Sequence, residues 1–237
     1  MWLLHDDIKI SDSGLFDGFT DYHCHLLPGV DDGVKTLTET WNLLNLWESL
    51  GVRNVYLTPH IMEDVPNTTS FLRKQFEIMS SEYKGKIKLH LSAENMLDRL
   101  FNERLTCRDL LPLGDDRHIL VETSYYNPPY RLKNILESIL QKGFFPVLAH
   151  PERYLYMSHD DYRRLKSIGI KFQLNVPSLV GVYGELVTKR SEFLLMKDLY
   201  DLCGTDTHNM RFVKSFLECK IRKKILRKCK ALCKTKI

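Results

Sequence analysis

Residues 21–33 read Asp21-Tyr22-His23-Cys24-His25-Leu26-Leu27-Pro28-Gly29-Val30-Asp31-Asp32-Gly33. His23 and His25 stand two positions apart, and on an extended strand that spacing turns both imidazoles to one side. A Pro-Gly turn then brings round the carboxylates of Asp31 and Asp32. Two imidazoles and a carboxylate converging from one strand and its loop suit a divalent cation, since Zn, Mn and Fe accept mixed nitrogen and oxygen ligands. Taken alone, a His-x-His pair is equally well explained by a half-buried strand. What decides the matter is that the same arrangement recurs along the chain.

The apolar spacing after this stretch predicts a helix over 38–50, stopped by Gly51, then a strand over 52–57 that ends in Thr58-Pro59-His60. A helix over 69–83 precedes a strand over 86–91 that ends in Ala93-Glu94. A short helix over 97–103 leads to a strand over 118–121 running into Glu122. Pro128-Pro129 opens a helix reaching Gln141, and the strand over 144–149 ends in His150. The next helix (160–167) and strand (170–174) end at Asn175. The last pair is a helix over 185–197 and a strand over 200–204, leading to Asp206 and His208. The polar strand ends fall at 25, 60, 94, 122, 150, 175 and 206, a step of 25 to 35 residues, which is the length of one strand, one helix and two loops. Seven βα units in succession predict an α/β fold with a parallel sheet, closed into a TIM-barrel-like (β/α)7 barrel. The C-terminal rim of such a barrel carries the chemistry.

Taken singly, His60, Glu94, Glu122 or His150 is an ordinary loop residue. Together with His23, His25, Asp32, Asp206 and His208 they place nine titratable groups at the ends of six strands of one sheet. Nine such groups at one rim would resist burial unless cations compensate them. The pattern therefore predicts a multi-metal site.

The 237 residues suffice for one large domain, and no linker-like or low-complexity run divides them. The start has no basic n-region and no long apolar run, and nothing approaches 18 consecutive apolar residues, so a soluble cytoplasmic protein is expected. The six cysteines form no C-x-x-C pair, and reduced thiols are the default. The net charge of +4 hides an asymmetry. From Met210 onward there are eleven basic residues and one acid, leaving 23 basic and 29 acidic residues in 1–209, a net of −6. An acidic body suits metal-binding carboxylates and argues against a nucleic-acid partner.

The motif set Asp21-Tyr22-His23-Cys24-His25, Asp31-Asp32-Gly33, Thr58-Pro59-His60, Ala93-Glu94, Val121-Glu122, Ala149-His150-Pro151-Glu152-Arg153-Tyr154 and Asp206-Thr207-His208-Asn209 resembles the PHP (polymerase and histidinol phosphatase) superfamily. Within it the chain is most similar to the CpsB/YwqE type of bacterial metal-dependent tyrosine-protein phosphatase. The resemblance covers roughly residues 19–211. It implies a distorted seven-stranded barrel and three divalent metal ions, with Mn the leading identity and Fe, Zn or Mg as alternatives. One metal would be held by His23, His25, Glu94 and Asp206, a second by bridging Glu94 with Glu122 and His150, and a third by Asp32, His60 and His208. Arg153 would hold phosphate, with Arg211 as a second catalytic candidate. The implied reaction is hydrolysis of phosphotyrosine in a protein, namely an autophosphorylating bacterial tyrosine kinase that controls capsule or exopolysaccharide synthesis and export.

Cysteine-based phosphatase chemistry needs a thiolate with an arginine six residues on. Val30, Leu113, Asn209, Ile225 and Thr235 stand at that spacing after Cys24, Cys107, Cys203, Cys219 and Cys229. Cys24 then reads as small filler between two ligands. Tyr125-Tyr126-Asn127-Pro128-Pro129-Tyr130 offers an aromatic wall for a phosphotyrosine ring, or simply core packing. Apolar residues from Phe212 to Cys233 at helical spacing, interleaved with basic ones, predict a basic amphipathic helix (212–237) appended to the 1–211 domain. It would be packed on the barrel or free to touch an acidic partner or anionic membrane. Two competing readings remain: a phosphoesterase for a small ester such as histidinol phosphate, and a non-catalytic metal-containing interaction module.

Overall fold

The computed structural model describes residues 7–114 and 117–235. Strand and helix alternate along nearly the whole chain. Strand β2 (Thr20–Cys24) pairs in parallel with β3 (Asn54–Leu57), and β3 with β5 (Lys88–Leu91). A second, six-stranded parallel sheet runs in the order β10 (Leu202–Gly204), β9 (Lys171–Asn175), β8 (Phe145–Ala149), β7 (His118–Glu122), β6 (Glu94–Met96) and β4 (His60–Ile61). The two sheets are joined at both sides. On one side β3 gives way to β4 across Thr58-Pro59, and β5 to β6 across Ser92-Ala93. There the Ser92 amide donates to Leu57 O (2.9 Å) and the Glu94 amide to Pro59 O (3.1 Å). Proline fixes φ and has no N–H to give to a ladder, so a break at Pro59 is where the sheet can turn. On the other side Cys24 bridges Thr207 in parallel, and the His25 amide donates to Thr207 O at 2.8 Å. The result is a strongly curved parallel sheet with helices outside it.

Helix α1 (Leu37–Ser49) follows β2 and starts at a reciprocal capping box between Thr36 and Glu39. Helices α2 (Thr69–Glu82), α3 (Arg99–Cys107), α4 (Leu132–Gln141), α5 (His159–Ser167) and α6 (Glu185–Met196) fill the other crossovers. The predicted helices agree with these to within a few residues. Two apolar layers result. Tyr22, Leu113, Leu120, Val147, Ala149 and Leu202 form a small cluster on the concave side of the sheet. Their strand neighbours Ile119, Val121, Leu148 and Cys203 belong to the larger layer under the helices. That division follows the two-residue period of a strand, and burial on both faces explains why these strands read as continuous apolar runs.

The C-terminal segment differs from the single helix expected. It forms α7 (Met210–Leu217), then β11 (Lys220–Arg222), then α8 (Lys223–Leu232). Strand β11 pairs antiparallel with β1 (Asp7–Lys9), and the Ile10 amide donates to Cys219 O at 2.9 Å. The helical spacing misled because both helices face one core. Val213, Phe216, Leu217, Ile221, Ile225, Leu226 and Cys229 are all buried. Phe216 lies in an aromatic cluster with Phe16, Phe19 and Trp47, which ties the tail to the first loop and to α1. Arg222, Lys223, Lys224 and Arg227 are exposed, so the basic charge sits outside and the apolar side is covered. Among the described residues no helix is long and apolar enough to cross a membrane.

Candidate metal centre

All nine residues singled out by the strand-end pattern lie at the carboxyl ends of the parallel strands or just beyond them. Eight of them, all but His150, fall into three overlapping groups whose donor atoms lie within 4.8 Å of one another: His23, His25, Glu94 and Asp206; His60, Glu94 and Glu122; and His25, Asp32, His60 and His208. Glu94 is central. Its Oε2 lies 3.1 Å from His23 Nε2, 3.4 Å from His25 Nε2 and 3.2 Å from His60 Nδ1, while its Oε1 meets His150 Nε2 at 3.0 Å. Asp206 Oδ1 stands 3.5 Å from His23 Nε2 and 3.4 Å from His25 Nε2. Asp32 Oδ1 reaches His60 Nε2 at 3.5 Å and His208 Nε2 at 3.3 Å. The grouping differs from the expected one in three respects: His60 spans two groups with its two ring nitrogens, His25 joins the Asp32 group as well as its own, and His150 touches Glu94 rather than joining Glu122.

Several of these atoms are buried without a hydrogen-bond partner: His60 Nδ1, Glu94 Oε2, Glu122 Oε1 and His150 Nδ1. His60 Nδ1 and Glu122 Oε1 face each other at 3.1 Å with no such bond between them. Buried polar atoms left unpaired cost free energy, and a cluster of nitrogen and carboxylate donors is the set that divalent cations of the Mn, Fe and Zn kind take. The residues present therefore fit a multi-cation centre.

The electrostatics agree. Burial opposes ionisation of Glu94 and Asp206, yet His23 and its neighbours hold both carboxyls well below their usual range. Burial pulls the His23 imidazole down, but Glu94 and Asp206 outweigh it and push it up to about 9.

The ligand candidates are held from behind. His25 Nδ1 meets Asp31 Oδ2 at 2.8 Å, and Asp31 also accepts from the amides of Gly33 (2.9 Å) and His60 (3.0 Å). His23 Nδ1 meets Gln173 Oε1 at 2.9 Å. Such partners fix imidazole orientation and leave the other nitrogen for a cation. Buried Asp21 accepts from the amide and hydroxyl of Thr205, locking the β10 turn to β2. Gly204 lies against His23, where an added Cβ would come within 2.5 Å of the histidine Cβ, so only glycine permits this approach. His150 and Asp206 adopt positive φ, 34° and 53°, rare for residues with side chains and concentrated at functional sites.

These groups open into a cavity of about 360 Å³ lined by Asp32, His60, Glu122, Tyr125, Arg153 and Tyr183, among others. Arg153 projects into it from the short 3-10 turn after β8, its Nη1 donating to Asp206 Oδ2 at 2.8 Å. Its guanidinium is sandwiched between Tyr125 (4.2 Å) and Tyr183 (4.3 Å). Asn175 Nδ2 donates to Asp206 Oδ2 and to the Tyr183 hydroxyl, each at 3.1 Å. Arg211 is not brought to the cavity. It is exposed on the first turn of α7, while its neighbours Asn209 and Phe212 line the wall. Of the aromatic stretch only Tyr125 faces the site; Tyr126 and Tyr130 are 88% and 82% exposed. Cys24 is fully buried, its thiol donating to Tyr56 O, and burial pushes its pKa well above the ordinary value. Asn175 is legible in the sequence only as a strand end, and nothing there singles out Gln173 or Tyr183. They carry no distinctive spacing, so only the fold reveals them.

Several known proteins are similar to this chain. Tyrosine-protein phosphatase YwqE of Bacillus subtilis (strain 168) is 28% identical over 198 residues, 81% of this chain and 78% of that protein. Tyrosine-protein phosphatase CpsB of Streptococcus pneumoniae is 29% identical over 205 residues, covering 80% and 83%. A putative tyrosine-protein phosphatase, CapC of Staphylococcus aureus, is 26% identical over 200 residues, covering 80% and 77%. Among solved structures, one from work on YwqE and CpsB, described as unique metal-dependent tyrosine phosphatases, superposes with a TM-score of 0.75 at 23% identity. That match covers 89% of this chain and 84% of the other and bears out the α/β fold. The sequence model for capsular polysaccharide synthesis, CpsB/CapC, matches residues 19–236, so the likeness extends through the basic tail rather than stopping near 211. The chain belongs to the CpsB/CapC family.

Proposed function

We propose that this protein is a metal-dependent protein-tyrosine phosphatase of capsule or exopolysaccharide synthesis, acting in the cytoplasm on phosphotyrosine of an autophosphorylating bacterial tyrosine kinase. Family membership and the names of its relatives support the activity. The observation that carries it is the set of buried, unpaired His60, Glu94 and Glu122 atoms opening into a cavity beside Arg153. In the same reading the two curved sheets are one distorted (β/α)7 barrel, supported by the junctions at Pro59, at Ala93 and at Cys24–Thr207. Residues 1–211 would be the phosphatase unit with the tail packed on it. Any contact of that tail with an acidic partner or an anionic membrane would rest on charge alone, because its apolar residues are buried.

Three divalent cations are proposed, with Mn ahead of Fe, Zn and Mg. His23, His25, Glu94 and Asp206 would hold one. Glu94 and Glu122, with His150 or His60, would hold a second, and Asp32, His60 and His208 a third. When bound, such cations acidify water and neutralise charge on phosphoryl oxygens. The chain's own contribution is placement. The guanidinium of Arg153, held between two tyrosine rings and tethered to Asp206, presents N–H donors to phosphate oxygens. Tyr125 and Tyr183 give an aromatic wall for the substrate ring. Phenolate, with a pKa of about 10, is a fair leaving group and lessens the need for a strong general acid. The buried, neutral Cys24 thiol is unsuited to nucleophilic attack.

The test compares turnover of a phosphotyrosine peptide with that of histidinol phosphate by the full-length, Mn-loaded protein. Faster turnover of the peptide is expected. Preference for histidinol phosphate would replace this substrate class, and no turnover of either would favour the non-catalytic module.

A further inference from the structure

Away from the cavity, Cys203, Cys229 and Cys233 bring their three sulfurs within 4.8 Å of one another. Cys203 sits mid-way along β10 and turns away from the concave side of the sheet, in the apolar layer under the helices. Cys229 and Cys233 are four residues apart at the end of α8, a spacing that stacks them on one helix face. Cys233 Sγ lies 3.2 Å from Cys203 Sγ and 3.9 Å from Cys229 Sγ. Cys203 and Cys229 are buried, and no His, Asp or Glu among the described residues joins the group. Cys233 is half-buried and lines a second cavity of about 470 Å³ with Gly14, Asp17, Lys230 and Lys234. Of the three, Cys233 therefore faces an entry route from solvent.

We propose that Cys203, Cys229 and Cys233 form a trithiolate site for a soft d10 cation, Cu(I) or Zn(II), which clips α8 to the β10 strand independently of the His/carboxylate centre. Soft thiolates select such cations over Mn or Mg. With metal–sulfur bonds of about 2.3 Å, three ligands stand roughly 3.8–4.0 Å apart. The present spacing of 3.2 and 3.9 Å reaches that by small side-chain rotations. On binding, each thiol forms one metal–sulfur bond and releases its proton to solvent, and no electron is transferred. The cavity beside Cys233 is lined by Lys230 and Lys234 as well as Asp17.

The reduced full-length protein is titrated with Cd(II) as a probe, reading the sulfur-to-cadmium charge-transfer band, to which imidazole and carboxylate ligands do not contribute. The expected result is a plateau at one Cd(II) per chain. Cys233→Ser and Cys229→Ser should each weaken that binding at least tenfold while leaving phosphotyrosine turnover by the Mn-loaded enzyme unchanged, which shows the variants are folded. Competition against a Cu(I) chelator and a Zn(II) chelator then identifies the cation retained. Absence of the band in the wild-type protein, its persistence in both variants, or surrender of both cations to weak chelators would overturn the site.

Discussion

Asp31 and Asp32 are adjacent, identical in type and both within reach of the rim, yet the fold gives them different work. Asp32 points its carboxylate at His60 and His208, whereas Asp31 turns back to His25 and to two backbone amides. Asp31→Asn keeps the shape but replaces the carboxylate behind His25. Loss of such a partner typically costs 10–100-fold in metal affinity. Metal titration of the variant should show a drop of that order, with far-UV circular dichroism unchanged; unaltered affinity would remove this role for Asp31. His23 gives a pH prediction. Its folded pKa of about 9 exceeds the ordinary 6.5, so the metal-free protein binds this proton more tightly folded than unfolded. That contribution to stability is fully present below about 6.5 and is lost as pH rises through about 9. A cation must displace the same proton. Affinity should therefore rise with pH up to about 9, and calorimetry at pH 7.5 in buffers of different ionisation enthalpy should register proton release on loading. No proton release would contradict the placement of His23. At this scale nine candidate donors are legible in the sequence, because each sits at or just beyond the end of a strand with a recognisable apolar run. The sequence could not separate Asp31 from Asp32, nor place Arg211, since one helical residue either way decides whether a side chain faces the cavity or solvent.

At the scale of elements, the alternation of strand and helix was readable because strands buried on both faces are short apolar runs and α1, α4 and α5 stop at Gly51, Gly143 and Gly169. The breaks at Pro59 and Ala93 were read as strand ends, yet each strand resumes beyond them, and that resumption carries His60 and Glu94 onto the sheet. The tail departs most from its local pattern. Two helices flanking a three-residue strand keep one buried side, so the periodicity survives the interruption at Cys219, and the pairing with β1 is a contact between chain ends that no local pattern reports. The junction of β10 with β2 depends on Gly204. In Gly204→Ala the new methyl would meet His23 Cβ at 2.5 Å and Gln173 Nε2 at 2.7 Å, so β2 or β10 must shift. Overpacking of this kind costs about 1–3 kcal/mol, and here the strain falls on a residue of the candidate metal centre. The variant should lose both thermal stability and metal affinity in differential scanning measurements with and without Mn(II). A normal melting temperature with normal metal loading would show that the junction is looser than drawn.

The molecule as a whole separates its charges. Residues 1–209 carry a net −6 and the segment from 210 onward is strongly basic, with its apolar side against the core and its basic side outward. Buried in the acidic part is a cluster of imidazoles and carboxylates that would be costly without compensating positive charge, on a curved parallel sheet whose strands all deliver their ends to one mouth. The family likeness says what such a mouth is used for in relatives; the buried donors without hydrogen-bond partners are a set that divalent cations could take. Metal content and phosphotyrosine turnover, followed together while the purified protein is stripped by chelator and then refilled with Mn(II), test this most directly. Turnover should fall in step with the metal removed and return on refilling. Undiminished turnover by protein stripped of its metal would contradict the account.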